Sequence, residues 1–181
     1  MRNRLLPVLV ALAATPTVAA AQGMGGGGTQ GGPLAAVKPL YEQFKGYLIA
    51  SAEQMPESNY SFKPTPEVRS FGQIIGHVAS ANYMFCSAAL GEDNPNSRQL
   101  EQLPTKAELV QAIKDAFSYC DQAYDMPMRR AMEQVTFFGQ QGSRMWVLTF
   151  NMSHDAEHYG NLVTYMRLKG MTPPSSQGGG M

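Results

Sequence analysis

The sequence predicts an all-α fold, a four-helix bundle, on three observations. Apolar residues recur at spacings of three and four over four long stretches, capping residues and helix breakers bound each stretch, and the connections between them are polar or rich in proline. The first helix is expected from Pro33 to Met55, where Leu34, Val37, Leu40, Tyr41, Phe44, Leu48 and Ala52 make one apolar stripe and Pro56 ends it. From Pro56 to Arg69 three prolines oppose a continuous helix, and Tyr60 and Phe62 read as anchors that pack this loop onto the bundle.

Ser70 is the expected N-cap of a second helix that runs to Leu90 and stops at Gly91, burying Phe71, Ile74, Ile75, Val78, Ala81 and Phe85. Residues 92–103 read as a polar connection. Thr105 followed three residues later by Glu108 is a capping-box signal, so a third helix is expected from Lys106 to Tyr124. Between Met126 and Gly142 the pattern is weak: Glu133 to Phe138 reads as strand-like or irregular, Gly139 and Gly142 as a turn, and Met126 to Met132, with Arg129 and Arg130, as exposed. A fourth helix should start near Ser143 and end near Lys169, before Gly170 and Pro173-Pro174.

The 181 residues suit a single domain. Arg2 and Arg4, the apolar run Leu5 to Ala14 and the small residues Ala19 to Ala21 read as an export signal over residues 1–21, so a periplasmic or secreted location is expected. A membrane anchor fits less well, because Pro7 and Pro16 interrupt a run shorter than the ~20 residues a spanning helix requires. Residues 22–32, mostly glycine and glutamine, read as a flexible linker, 33–174 as the folded unit and 175–181 as a disordered tail. Cleaving the signal removes two basic residues and no acids from a chain with 14 of each, which leaves a net charge of −2 and no electrostatic case for nucleic acid as a partner. Cys86 and Cys120 could join in a disulfide in an oxidising compartment or pack as two small buried residues, and the sequence leaves both open. The 12 methionines read as core filler more readily than as contact surface or copper ligands.

Chemistry concentrates in the three histidines. His154 and His158, in His154-Asp-Ala-Glu-His158, share one helix face at i, i+4 beside an apolar stripe of Val147, Leu148, Leu162, Val163 and Met166. His77 lies on the inward face of the second helix with Ile74 and Ala81. Burying three unpaired imidazoles is costly, so a shared divalent ion with one open position is the expectation, set against a hydrogen-bonded core histidine, with Tyr83 as a candidate partner for His77. The pentapeptide is not the zinc-protease motif, and Glu157 reads as a solvated charge. Tyr83, Asn151, Asp155 and Tyr159 are nearby candidates to support the ligands, with Asn151 the one on the histidine face.

Several segments carry a family resemblance: Tyr60-Ser-Phe62-Lys-Pro64-Thr-Pro66 through Arg69-Ser-Phe71, Gly76-His77-Val78-Ala79, His154 to Arg167, and the closing Gly170-Met-Thr-Pro173-Pro174. Across nearly all of residues 34–174 the chain resembles the DinB-like superfamily of metal-binding four-helix bundles, related to DinB and YfiT-like proteins. The resemblance implies a metal site between helices 2 and 4, with the metal held by His77, His154 and His158. It departs from the family at Gly160-Asn161, where a Gly-Gln pair is common.

Members with known chemistry are thiol-dependent transferases and isomerases. The expected function is therefore a metal-dependent hydrolase or thiol-type transferase acting on a small molecule of unknown identity, with a non-catalytic metal-binding or stress-related bundle as the alternative. Three imidazoles suit zinc or nickel, and also iron or copper. A homodimer is compatible with this reading, and no membrane contact is expected once the signal is removed.

Overall fold

The computed structural model describes residues 32–178, so the expected signal segment and almost all of the glycine-rich linker lie outside the described residues. The chain forms helices α1 (Pro33–Gln54), α2 (Phe71–Leu90), α3 (Lys106–Tyr124), α4 (Met128–Ala131) and α5 (Arg144–Leu168), with a hairpin of β1 (Gln134–Phe137) and β2 (Gln140–Ser143) just before α5. Four of the five helices among the described residues are long and pack as a helical bundle: α2 lies against α3 and α5, and α1 against α5 and α3.

Local chemistry explains the helix starts. Ser70 accepts a hydrogen bond from the Gln73 N–H while the Gln73 side chain accepts from the Ser70 N–H, a complete capping box. Thr105 accepts from the Glu108 N–H, but its hydroxyl donates to the Glu108 carboxylate, so only half of the expected box forms. Ser143 accepts from the Trp146 N–H and starts α5. At its far end α2 is closed by two arginines from distant sequence: Arg130 Nη2 donates to the Leu90 carbonyl at 2.8 Å and Arg144 Nη1 to the Ala89 carbonyl at 2.6 Å.

The expected face of α2 is buried throughout, and Tyr41, Leu48, Phe117, Leu148 and Leu162 complete the centre of the core. Tyr41 stacks on Tyr124 with ring centroids 3.6 Å apart, and its hydroxyl donates to Asp121 at 2.8 Å. Tyr60 is buried and donates to the Ala52 carbonyl, and Phe62 meets Tyr165 edge-on, so both anchor the proline-rich loop as expected.

Three expectations needed correction. Leu40, placed on the buried stripe of α1, is exposed, because a helix burying Tyr41 and Leu48 turns position 40 outward. Met126 and Ala131, placed in an exposed stretch, are buried: α4 folds that stretch back against α1 and α5, and only residues such as Arg129 and Met132 stay in water. The connection 92–103 is not wholly irregular, since Leu100–Gln102 is a 3-10 turn with Leu100 buried against α2. Past Lys169 the chain forms another 3-10 turn, Pro174–Ser176, where the Ser175 N–H donates to the Tyr159 hydroxyl at 2.8 Å and holds the segment on α5.

Cys86 of α2 and Cys120 of α3 are paired as a disulfide, with Cα atoms 5.2 Å apart and both residues fully buried. A chain of polar groups runs beside it: Asp155 accepts from Asn82 at 2.8 Å, Asn82 accepts from Asn151 at 3.1 Å, and the Tyr124 hydroxyl lies 2.9 Å from Asn151 Oδ1.

Candidate metal centre

His77 on α2 faces His154 and His158, one turn apart on α5. All three side chains are half-buried and turn their Nε2 atoms towards one another: His154 Nε2 is 3.3 Å from His77 Nε2 and 3.1 Å from His158 Nε2, and the potential ligand atoms all lie within 4.8 Å of one another. Nitrogen atoms bound tetrahedrally to one zinc ion stand about 3.3 Å apart, the separation set by bonds of about 2.0–2.1 Å. The donor set therefore fits a divalent ion.

The far nitrogens determine whether the near ones can act as ligands. His77 Nδ1 is 2.9 Å from Glu101 Oε1, and Glu101 Oε2 accepts from Arg69 Nε at 3.0 Å. An Nδ1–H given to Glu101 leaves the Nε2 lone pair of His77 free. Burial alone would raise the Glu101 carboxyl, but the hydrogen bonds from Arg69 and His77 outweigh it and hold the group below the usual carboxylate range. Arg69 is fixed in turn by its own carbonyl, which accepts from the Tyr165 hydroxyl of α5 at 2.7 Å.

On α5, burial, reinforced by repulsion from the other two imidazoles, pushes His154 down to about 3, so its ring is neutral and its lone pair available near neutral pH. Burial and the nearby His77 lower His158 as well. Asn161 Nδ2 is 3.4 Å from His158 Nδ1, so the amide as placed donates to an Nδ1 lone pair, and turning it by 180° would offer its oxygen to an Nδ1–H instead. The departure from the family pattern at Asn161 therefore falls beside a prospective ligand. His154 Nδ1 is buried without a hydrogen-bond partner among the described residues.

The other sequence candidates do different work. Asn151, expected on the histidine face, turns into the core and joins the polar chain with Asp155, whose fully buried carboxyl is pushed up to about 8 by burial. Tyr83 packs against Tyr119 instead of bonding His77, and Tyr159 stacks on Tyr47. Glu157 is exposed, as expected, and borders an open cavity of about 420 Å³ that is also lined by His158, Arg69 and Asn161.

Sequence reasoning missed Glu101, because it sits in a stretch that reads as a polar connection, 24 residues from His77. The nearest signal was Gly76. A Cβ on Gly76 would sit 2.6 Å from the Leu100 carbonyl carbon and 2.7 Å from Glu101 Cα, so only glycine lets the Leu100–Gln102 turn lie directly on α2. Gly76→Ala is expected to lower stability by about 2 kcal/mol, since overpacking outweighs the gain in helix propensity. It should also weaken metal binding by displacing Glu101. Urea unfolding and metal titration of the same variant read the two effects.

The fold and site thus define a helical bundle with a cluster of three imidazoles between two of its helices. Residues 40–162 match the DinB superfamily, and the chain belongs to it. An uncharacterized protein of Bacillus subtilis strain 168, YjoA, is 25% identical over 125 residues, covering 67% of this chain and 80% of the relative. Among solved structures, a DinB-like protein from Bacillus cereus ATCC 10987 superposes with a TM-score of 0.64 at 16% identity, covering 78% of this chain and 93% of that one. The B. subtilis YjoA structure, also described as DinB-like, gives 0.60 at 20% identity, covering 74% and 94%. At these identities the structures establish the shared fold.

Proposed function

We propose that this protein is an exported four-helix bundle that binds one divalent metal ion through Nε2 of His77, His154 and His158, between α2 and α5, and acts as a metal-dependent hydrolase or transferase on a small molecule. The clustering of three imidazole nitrogens within 4.8 Å, with His154 Nε2 at ligand-like separations from both other rings, carries this reading. A divalent ion held there supplies Lewis-acid chemistry, either polarising a substrate oxygen or lowering the pKa of a water or thiol.

The chain's own residues supply the rest. Glu101 orients His77, Arg69 and Asn161 put polar side chains on the wall of the cavity beside His158, and three ligands leave a position open. A buried disulfide suits export to an oxidising compartment. Zinc or nickel match three imidazoles well, and iron or copper are compatible.

The test is metal content by elemental mass spectrometry on protein purified without added metal or a histidine tag, beside a variant with all three histidines changed to alanine. About one equivalent in the parent and none in the variant is the expected result. A parent that stays empty and refuses added zinc and nickel sinks the proposal. Stripping the ion separates the catalytic reading from a structural one: with an extensive core and a disulfide of its own, the stripped protein should keep its helical circular dichroism, whereas unfolding would mark the ion as a staple.

A further inference from the structure

We infer that Phe138 and Phe150, seated over the buried ring of Phe85, form an aromatic subsite beside the histidines, which takes a flat apolar group carried by the same ligand whose polar head meets the metal. The inference rests on the metal reading above and extends it from the head of the ligand to its tail.

Helical spacing puts two of these rings next to the imidazoles. Phe85 lies two turns beyond His77 on α2, and Phe150 one turn before His154 on α5. The Phe85 ring meets His154 edge-on at 5.2 Å and Phe150 at 5.4 Å. The β1–β2 hairpin brings in the third: Phe138 is 6.3 Å from both Phe85 and Phe150, and Phe137 packs beneath it at 4.1 Å. The buried Phe85 ring therefore joins His154 to the two exposed rings, Phe138 and Phe150.

Two features of Phe138 argue that its ring serves a ligand more than the fold. Its φ of 48°, followed by 74° at Gly139, places it first in a two-residue turn where both positions are left-handed. Such turns favour Asn-Gly or Asp-Gly, and a bulky residue in this conformation costs about 1–2 kcal/mol. Packing returns only part of that cost, because Phe138 is 64% exposed and its neighbour Phe150 is 42% exposed. Local stability would favour asparagine at position 138. What phenylalanine adds there is a ring held in water beside another ring, a surface suited to stacking an aryl group.

The probes are butanohydroxamate and 4-phenylbutanohydroxamate, which share a metal-binding head and an alkyl chain and differ by one phenyl ring. Calorimetric titration into protein loaded with one equivalent of zinc should show the phenyl probe binding about tenfold more tightly, as expected for partial burial of one ring. In the variant carrying F138N and F150A the preference should fall to near unity while butanohydroxamate affinity stays unchanged. F138N also places a favoured residue in the turn, so the fold should be retained. No preference in the parent, or an undiminished one in the variant, overturns the subsite. Butanohydroxamate binding and zinc content report the metal reading separately: a parent with neither overturns both. Sedimentation at the same concentrations covers the remaining occupant, since a dimer that the double variant dissolves would make this face a contact between copies and overturn the ligand assignment.

Discussion

Changing both Cys86 and Cys120 to alanine is expected to lower the unfolding free energy by about 4 kcal/mol, as closing a loop of this length restricts the unfolded chain by about that much. The two cysteines are 34 residues apart in sequence and join α2 to α3, so the bond spans the whole connection between those helices. Without it, that connection and both helices regain freedom in the unfolded state. Both side chains are fully buried, so the alanines also remove some packing. In thermal melts the change corresponds to a fall of about 10 °C for a domain of this size. Urea unfolding of the parent, the double variant and the reduced parent measures it. A loss below about 1 kcal/mol would mean that the pair is not closed in the folded protein or that the unfolded chain stays compact.

Glu101→Ala is expected to weaken metal binding about 10- to 100-fold with little change in helical content. Groups that fix the far nitrogen of a ligating histidine contribute on that scale. Here the Glu101 carboxylate is the hydrogen-bond partner of His77 Nδ1, and Arg69 holds its other oxygen. Removing it frees the ring to rotate and to place its proton on Nε2, where it would compete with the metal. Glu101→Gln keeps an acceptor at the same position and should recover part of the loss, whereas a purely structural role for the turn would not distinguish the two variants. Competition with a chromophoric chelator provides the measurement, and an affinity within twofold of the parent after Glu101→Ala would remove Glu101 from the site.

Helix ends were readable because the signals act locally. Ser70, Thr105 and Ser143 each bond to an N–H three residues on, and a sequence pattern captures that reach. The buried face of α2 was readable for the same reason, through the helical period. The pattern lost accuracy where another element decided exposure: Leu40 fits the α1 stripe yet faces water, and Met126 sits in a charged stretch yet is buried by α4. The hairpin was only half legible, since Phe138-Gly139 lacks the usual first residue of its turn.

The sequence by itself determined the four long helices, the identity of the three histidines and the side-by-side placement of two of them, because these depend on contacts within a few residues along one helix. Tertiary structure alone decided that Glu101 would meet His77, that Cys86 would meet Cys120, that Asn151 would turn inward, and that Phe138 would stand beside Phe85. Each of those pairings, and the turning of Asn151 towards Asn82, joins different parts of the chain and depends on how closely the helices and loops approach. No local signal carries that distance. Gly76, whose missing side chain lets the Glu101 turn lie against α2, acquires its meaning only when the turn is in place.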